Sequence, residues 1–386
     1  MKHPWLQDGD LGSDPGRRFT HPLGSDPAFC LRAHAEYACR HSGACCRAGW
    51  AIPIEAPAFE RVRLHFGDSN HFRIEPTPPA GTTAILNLRS NGDCLFFEPE
   101  RGRLCAVHRE LGESCLPAAC RQYPRVVLND ARGQLISLSH YCPTAASLLL
   151  EGPSLDIVPA PPSLTLGGRA EGLDAREVLP PLLRPGMLTD MDGYATWERR
   201  AIETLARGEL SAARAIATID AATAALASWT PGGEPLAAVV DREFDVALAP
   251  EPDEDLNADR ARANACLACV PHGLSARSFD GLATDWPTVA RWWPEVDRAA
   301  RAYLAARLFG NWIAYHGQGL HAIVEYLRVC LAVLKLEAAR QQQSTSTVTT
   351  ASTSTSPWQT VLEAIRNADL LLVHLTDAKS LARRLS

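Results

Sequence analysis

The chain has 386 residues, 46 % of them hydrophobic, and a formal net charge of −6. That is apolar material for two ordinary cores, and the acidic balance excludes phosphate neutralisation as a main binding mode, so no nucleic-acid partner is expected. The opening MKHPWLQDGDLGSDPGRRF lacks the apolar stretch and cleavage site of an export signal, and no apolar run is long enough to cross a bilayer. A cytoplasmic protein with no membrane insertion is the expectation.

In chain order, residues 1–27 are rich in Gly, Pro and Asp and read as a flexible leader. Residues 28–151 mix turns with short apolar runs. Within them Gly133–Cys142 partly alternates, as a strand would, and Pro143–Gly152 suits a short helix. Residues 152–186, with EGPSLDIVPAPPSLTLGG and LPPLLRPG, read as a Pro/Gly-rich linker.

From 187 to 340 the pattern is helical. Trp197, Ala201 and Leu205 recur at i, i+4, and Ile216, Ile219 and Leu226 share one side of the next segment. Glu251–Asp259 is acidic and reads as a solvated loop. Leu304, Leu308, Trp312 and Tyr315 form one stripe, broken at HGQG; Leu320, Ile323, Leu327, Leu331 and Leu334 form another, and the two read as an antiparallel helix pair. Residues 341–356 are a low-complexity Ser/Thr linker. Ser356 as cap and Pro357 at the first helical position open a last helix over 357–386, which docks on the bundle through Trp358, Leu362, Ile365, Leu372 and Leu375. The expected fold is mainly α: an irregular, metal-stabilised cysteine-cluster region followed by an all-α bundle.

Twelve cysteines need a reason, and nine of them precede residue 150. In a reducing compartment, clustered thiols are more often metal ligands or redox groups than disulfides, and thiolates suit zinc or an iron-sulfur cluster, each needing about four. Cys45 and Cys46 are adjacent, so they serve one centre only if the chain turns sharply, and Gly43 supplies a residue free to turn. Cys94 and Cys105 flank an expected hairpin at ERGR. Buried unligated thiols are the bland alternative. The CLAC pair, Cys266 and Cys269, has no partner pair nearby and reads as packing. Arg121, Tyr123 and Trp50 read as support around a centre, and His108 as structural.

CRHSGACCRAGWAIPI, GDCLFFEPERGRLC, LGESCLPAACRQYPR and SLSHYCP, in this order, resemble the cysteine-cluster family described as zinc- or iron-chelating, and more narrowly its flagellin lysine-N-methylase branch. The resemblance extends over roughly residues 28–340. It implies Cys39, Cys45, Cys46, Cys94, Cys105, Cys120 and Cys142 as metal ligands of an iron-sulfur (4Fe-4S) cluster or zinc. It implies transfer of a methyl group from S-adenosylmethionine to a lysine of a protein substrate, flagellin or another lysine-bearing protein. The family often has a cysteine where this chain has Ser42, and Cys30 and Cys115 match none of its positions. No GxGxxG follows a strand, so the usual nucleotide-binding methyltransferase fold is not expected. A non-enzymatic zinc- or iron-binding module that recruits a partner is the alternative, and metal storage or delivery a third.

Overall fold

The structure is a computed structural model, and it describes residues 27–67, 70–74, 81–101, 105–151, 154–165, 172–271, 278–280, 282, 286–348 and 356–385. The leader at 1–26 and part of the expected ERGR turn lie outside these residues. The fold is mainly α.

The first half is less irregular than its composition suggests. In order it contains β1 (Ala28–Leu31), α1 (Arg32–Ala35), β2 (Ile52–Ile54), α2 (Ala56–Phe66), β3 (Phe72–Arg73), β4 (Ala84–Leu86), α3 (Ala106–Leu111), α4 (Ala118–Gln122), β5 (Arg125–Asp130), β6 (Gly133–Leu138) and α5 (Pro143–Glu151). Beyond these come β7 (Ile157–Pro159), β8 (Gly172–Asp174), β9 (Leu182–Arg184) and β10 (Met187–Leu188). The expected strand and short helix after Gly133 are both present, as β6 and α5. A five-stranded mixed sheet runs in the order β7-β1-β6-β5-β8. The hairpin β5–β6 is antiparallel, whereas β1–β6 and β5–β8 are parallel.

The segment 152–186 is therefore more than a linker, because it supplies both edge strands of this sheet, β7 and β8. Proline and glycine are tolerated there because an edge strand has one unpaired side. Side chains alternate across β6 as a strand requires. Leu135 joins the main core, and the Ser137 hydroxyl donates to the Ala306 carbonyl at 3.1 Å; Ile136 and Leu138 pack on the opposite face with Cys30, Tyr37 and Cys142.

The helical body comprises α6 (Met191–Ala206), α7 (Ala212–Ala225), α8 (Leu236–Val246), α9 (Leu256–Leu267), α10 (Trp286–Leu308), α11 (Ile313–His316), α12 (Leu320–Val348), α13 (Pro357–Asp369) and α14 (Ala378–Leu385). Helix α12 is the central post and packs against α7, α9, α10 and α13. Ser356 caps α13 through its hydroxyl to the Gln359 amide at 3.3 Å, with Pro357 opening the helix, as the sequence suggests. Helix α12 runs to Val348, so helix extends into the expected Ser/Thr linker; residues 349–355 lie outside the described set. The acidic loop also ends sooner than expected, because Asp255 caps α9 at the amides of Asn257 and Ala258.

The main core draws Leu31, Leu128, Leu135, Ala146 and Leu149 together with the helices, so sheet and bundle share one interior. A strand face that apolar must be covered, and the helices cover it. A second, small core stands apart. Ile52, Ile54, Ala58, Val62, Leu86, Phe96, Phe97 and Val107 form it under the three-stranded sheet β2-β4-β3.

Candidate functional site

Gly43 has φ +73°, a left-handed conformation open to glycine at little cost, and it starts a single 3-10 turn over Ala44–Cys46. The turn folds the adjacent thiols back, and the Cys45 and Cys46 sulfurs lie 3.9 Å apart. The Cys46 carbonyl accepts the Cys94 amide at 2.8 Å, which ties the loop before β2 to the one after β4. Cys105 caps the N-terminus of α3, its sulfur accepting the His108 amide at 3.2 Å. Cys120 sits on α4. Glu55 holds that helix in place, accepting the Ala118 amide at 3.0 Å and the Arg121 guanidinium at 3.2 Å, while Arg121 also donates to the Leu116 carbonyl.

These segments bring Cys46, Cys94, Cys105 and Cys120 into or against the small core, with Cys45 beside Cys46, close enough to shift one another's ionisation. The single Cys46 proton is shared between Cys105 and Cys45, and with burial this pushes Cys46 far above its ordinary value. Cys105 is pushed down to about 7, first by the Cys46 proton and then, against burial, by the amides of His108 and Val107. Cys45 is lowered by the same Cys46 proton. Burial raises Cys94 to about 12 and Cys120 well above a free thiol, and neighbouring sulfurs add to both. Among the described residues no disulfide forms, and no three Cys, His, Asp or Glu side chains are arranged around a single ion position.

The other two cysteines of the expected ligand set stand elsewhere. Cys142 is buried on the far face of the main sheet, 4.0 Å from the Tyr37 hydroxyl. Cys39 is exposed, 3.8 Å from His41 Nδ1, and it acts electrostatically on Tyr37 and Cys142. The seven thus divide into five and two. Tyr123 lies between the groups and feels both Cys142 and Cys45. The His108 ring packs edge-on against His41, and only its backbone touches Cys105. Cys266 is buried beside the Thr376 hydroxyl at 3.2 Å, a packing role.

A cavity of about 50 Å³ opens beside the five thiols, lined by Cys45, Cys120, Trp50, Ile52 and Tyr123 among others. The Tyr123 hydroxyl is buried with no hydrogen-bond partner among the described residues. The Trp50 ring lies 5.5 Å from Tyr123, 5.8 Å from Tyr141 and 4.4 Å from His374, on which it stacks.

Behind His374 is a buried polar chain that the sequence reading missed. Ser139 Oγ lies 2.9 Å from Asp369 Oδ2 and 2.6 Å from His374 Nε2. One hydroxyl has one proton, so if Ser139 donates to the carboxylate it accepts from His374, which places the imidazole proton on Nε2. Asp369 also meets Arg307 at 3.3 Å and His140 Nδ1 at 3.7 Å, and His140 reaches His34 at 3.1 Å between ring nitrogens. Burial opposes the Asp369 charge, but Arg307 and His140 outweigh it and hold the carboxyl below its usual range. Burial lowers both His34 and His140, so they are neutral. The signal was present in the sequence: Asp369 falls four residues after Ile365, on the apolar stripe of the last helix.

The chain matches no protein-family model, and neither a curated protein nor a solved structure is significantly similar to it. Among the described residues no helix is long and apolar enough to cross a membrane.

Proposed function

We propose that this protein is a thiolate-metal protein whose centre is held by Cys45, Cys46, Cys94, Cys105 and Cys120, and that it methylates a lysine of a protein substrate. The carrying observation is the convergence of five thiols from four segments of the chain, close enough to shift one another's ionisation and joined by no disulfide. The donor chemistry fits a soft metal. The Cys45–Cys46 separation of 3.9 Å is close to the sulfur–sulfur edge of about 3.8 Å that a tetrahedral zinc with ~2.3 Å bonds requires. On a 4Fe-4S cluster each iron takes one cysteine, so the two would ligate separate irons and stand farther apart; the adjacent pair therefore favours one ion, or one of the pair on such a cluster and its neighbour outside. Since no three groups yet surround one point, the remaining sulfurs must draw in by side-chain rotation. Cys105, lowered to about 7, gives up its proton readily, and Cys45 is lowered as well. Cys39 and Cys142 are outside this set.

Methyl transfer rests on the motif resemblance, and the cavity is compatible with it. Trp50 and Tyr123 offer aromatic faces to a sulfonium or an alkylammonium cation. The apolar wall would desolvate an incoming lysine, whose ordinary pKa of about 10.4 must fall before its nitrogen can attack. The metal would fix the loops that carry Trp50 and Cys120. Incubation of the anaerobically purified protein with methyl-labelled S-adenosylmethionine and flagellin tests this reading. Label on lysine, abolished by Cys120→Ser, is the expected result; unlabelled substrate with metal fully bound leaves only the metal-binding module.

A further inference from the structure

A second cavity, of about 130 Å³, lies where the helical body meets the main sheet. It is bounded by the end of α10, by α11, by the C-terminal segment and by the edge of β5–β6. Its walls have two characters. Phe309 and Leu372 represent an apolar side. Arg307, Asn311, His316 and Lys379 line it as well, and no Asp or Glu does so among the described residues.

The polar groups are incompletely used. Asn311 is 6 % exposed; its Oδ1 accepts the Ile313 amide at 2.8 Å, but its Nδ2 has no partner. A buried amide donor left unpaired keeps its desolvation penalty, so a ligand oxygen placed there recovers free energy. Arg307 leaves its Nε unpartnered too, although Asp369 already balances its charge. Lys379 makes no ion pair among the described residues and is half-buried. The lining is therefore positive through Lys379, with Asp377 acting on His316 from outside the lining, and it holds an unused N–H donor.

We infer that this cavity binds a small monocarboxylate with an apolar body, its carboxylate between Asn311 Nδ2 and Lys379 and its body against Phe309 and Leu372. The volume sets the size, since an apolar cavity of about 150 Å³ accepts a benzene-sized guest. A free inorganic anion would fill the charged end and leave the apolar wall uncovered. The cavity shares Gly172 with the thiol cavity, but no thiol lines it among the described residues.

Benzoate is the probe, benzyl alcohol its neutral counterpart and inorganic phosphate the anion without an apolar body; binding to the full chain is read by calorimetry. Benzoate is expected to bind saturably, at least ten-fold tighter than either control. Asn311→Asp keeps the cap on Ile313 and replaces the donor by a second acceptor, and Lys379→Gln removes the charge. Each is expected to weaken benzoate at least ten-fold, and should Asn311→Asp fail to fold, Lys379→Gln alone decides. Equal binding of benzoate and benzyl alcohol, phosphate as tight as benzoate, no benzoate binding, or a folded variant with unchanged affinity overturns the assignment.

Discussion

The helical body and the thiol-rich lobe are stabilised in different ways. The body is joined by Leu, Ala and aromatic side chains from α5–α14 and one face of the main sheet, and most of its polar interior is paired, as in Arg307–Asp369 and Arg132 with Asp130 and Glu198. The lobe has a small core of short strands, with Cys94 inside it and Cys46, Cys105, Cys115 and Cys120 packed against it in place of apolar side chains. A core that small offers little hydrophobic stabilisation, and metal ligation is the usual supplement. On the reading proposed above, the lobe is the part that a metal would stabilise, so the lobe should respond to metal while the body does not.

The largest expected effect is on metal retention. Cys46→Ser and Cys120→Ser should lose the metal and the ordered lobe, whereas Cys330→Ser, deep in the helical body, should keep both; metal content equal in all three variants would erase the contrast. The converse perturbation is Asp369→Asn. It leaves Arg307 buried without a counter-charge and should cost about 3–5 kcal/mol in denaturant unfolding, with metal content unchanged. Metal loss in that variant would mean that the two regions are not separable.

A pH series sharpens the same comparison. His34 and His140 are buried neutral, so the unfolded chain binds protons that the native one does not, and stability falls as pH drops below about 6.5. Two such groups give a slope approaching ~2.7 kcal/mol per pH unit on the acid side. Asp369 adds to this at lower pH: its folded pKa is depressed, so its contribution is present above about 3.9 and fades as pH falls through the folded value. A flat denaturation midpoint from pH 7 to 5 would contradict the neutral-histidine assignment. The smallest expected effect is Arg121→Ala, which loosens α4 through Glu55 and Leu116 and should cost ~1 kcal/mol while slowing metal uptake.

Much of this was legible in the sequence. The stripe Leu320–Leu334 gave α12, Ser356-Pro357 gave the start of α13, and Gly43 marked the turn that brings Cys45 beside Cys46. Only β6 of the main sheet was visible, because it partly alternates; β5 (RVVLND) does not alternate, and β1, β7 and β8 are three or four residues long. Such strands exist through pairing, which a local pattern does not contain. Five of the seven cysteines fall together and two do not, because Cys142 follows β6 on the sheet face away from the helices, and motif order does not encode which side of a sheet a residue leaves. The chain Ser139–Asp369–His374 joins residues about 230 positions apart, which no local window spans.

Anaerobic purification, with iron, sulfide and zinc quantified per chain and native thiols titrated in the same sample, tests the central claim most directly. One metal centre per chain is expected, with thiols of the Cys45, Cys46, Cys94, Cys105 and Cys120 group protected from alkylation until the metal is removed. A metal-free protein that melts cooperatively with all five thiols open to alkylation would contradict it.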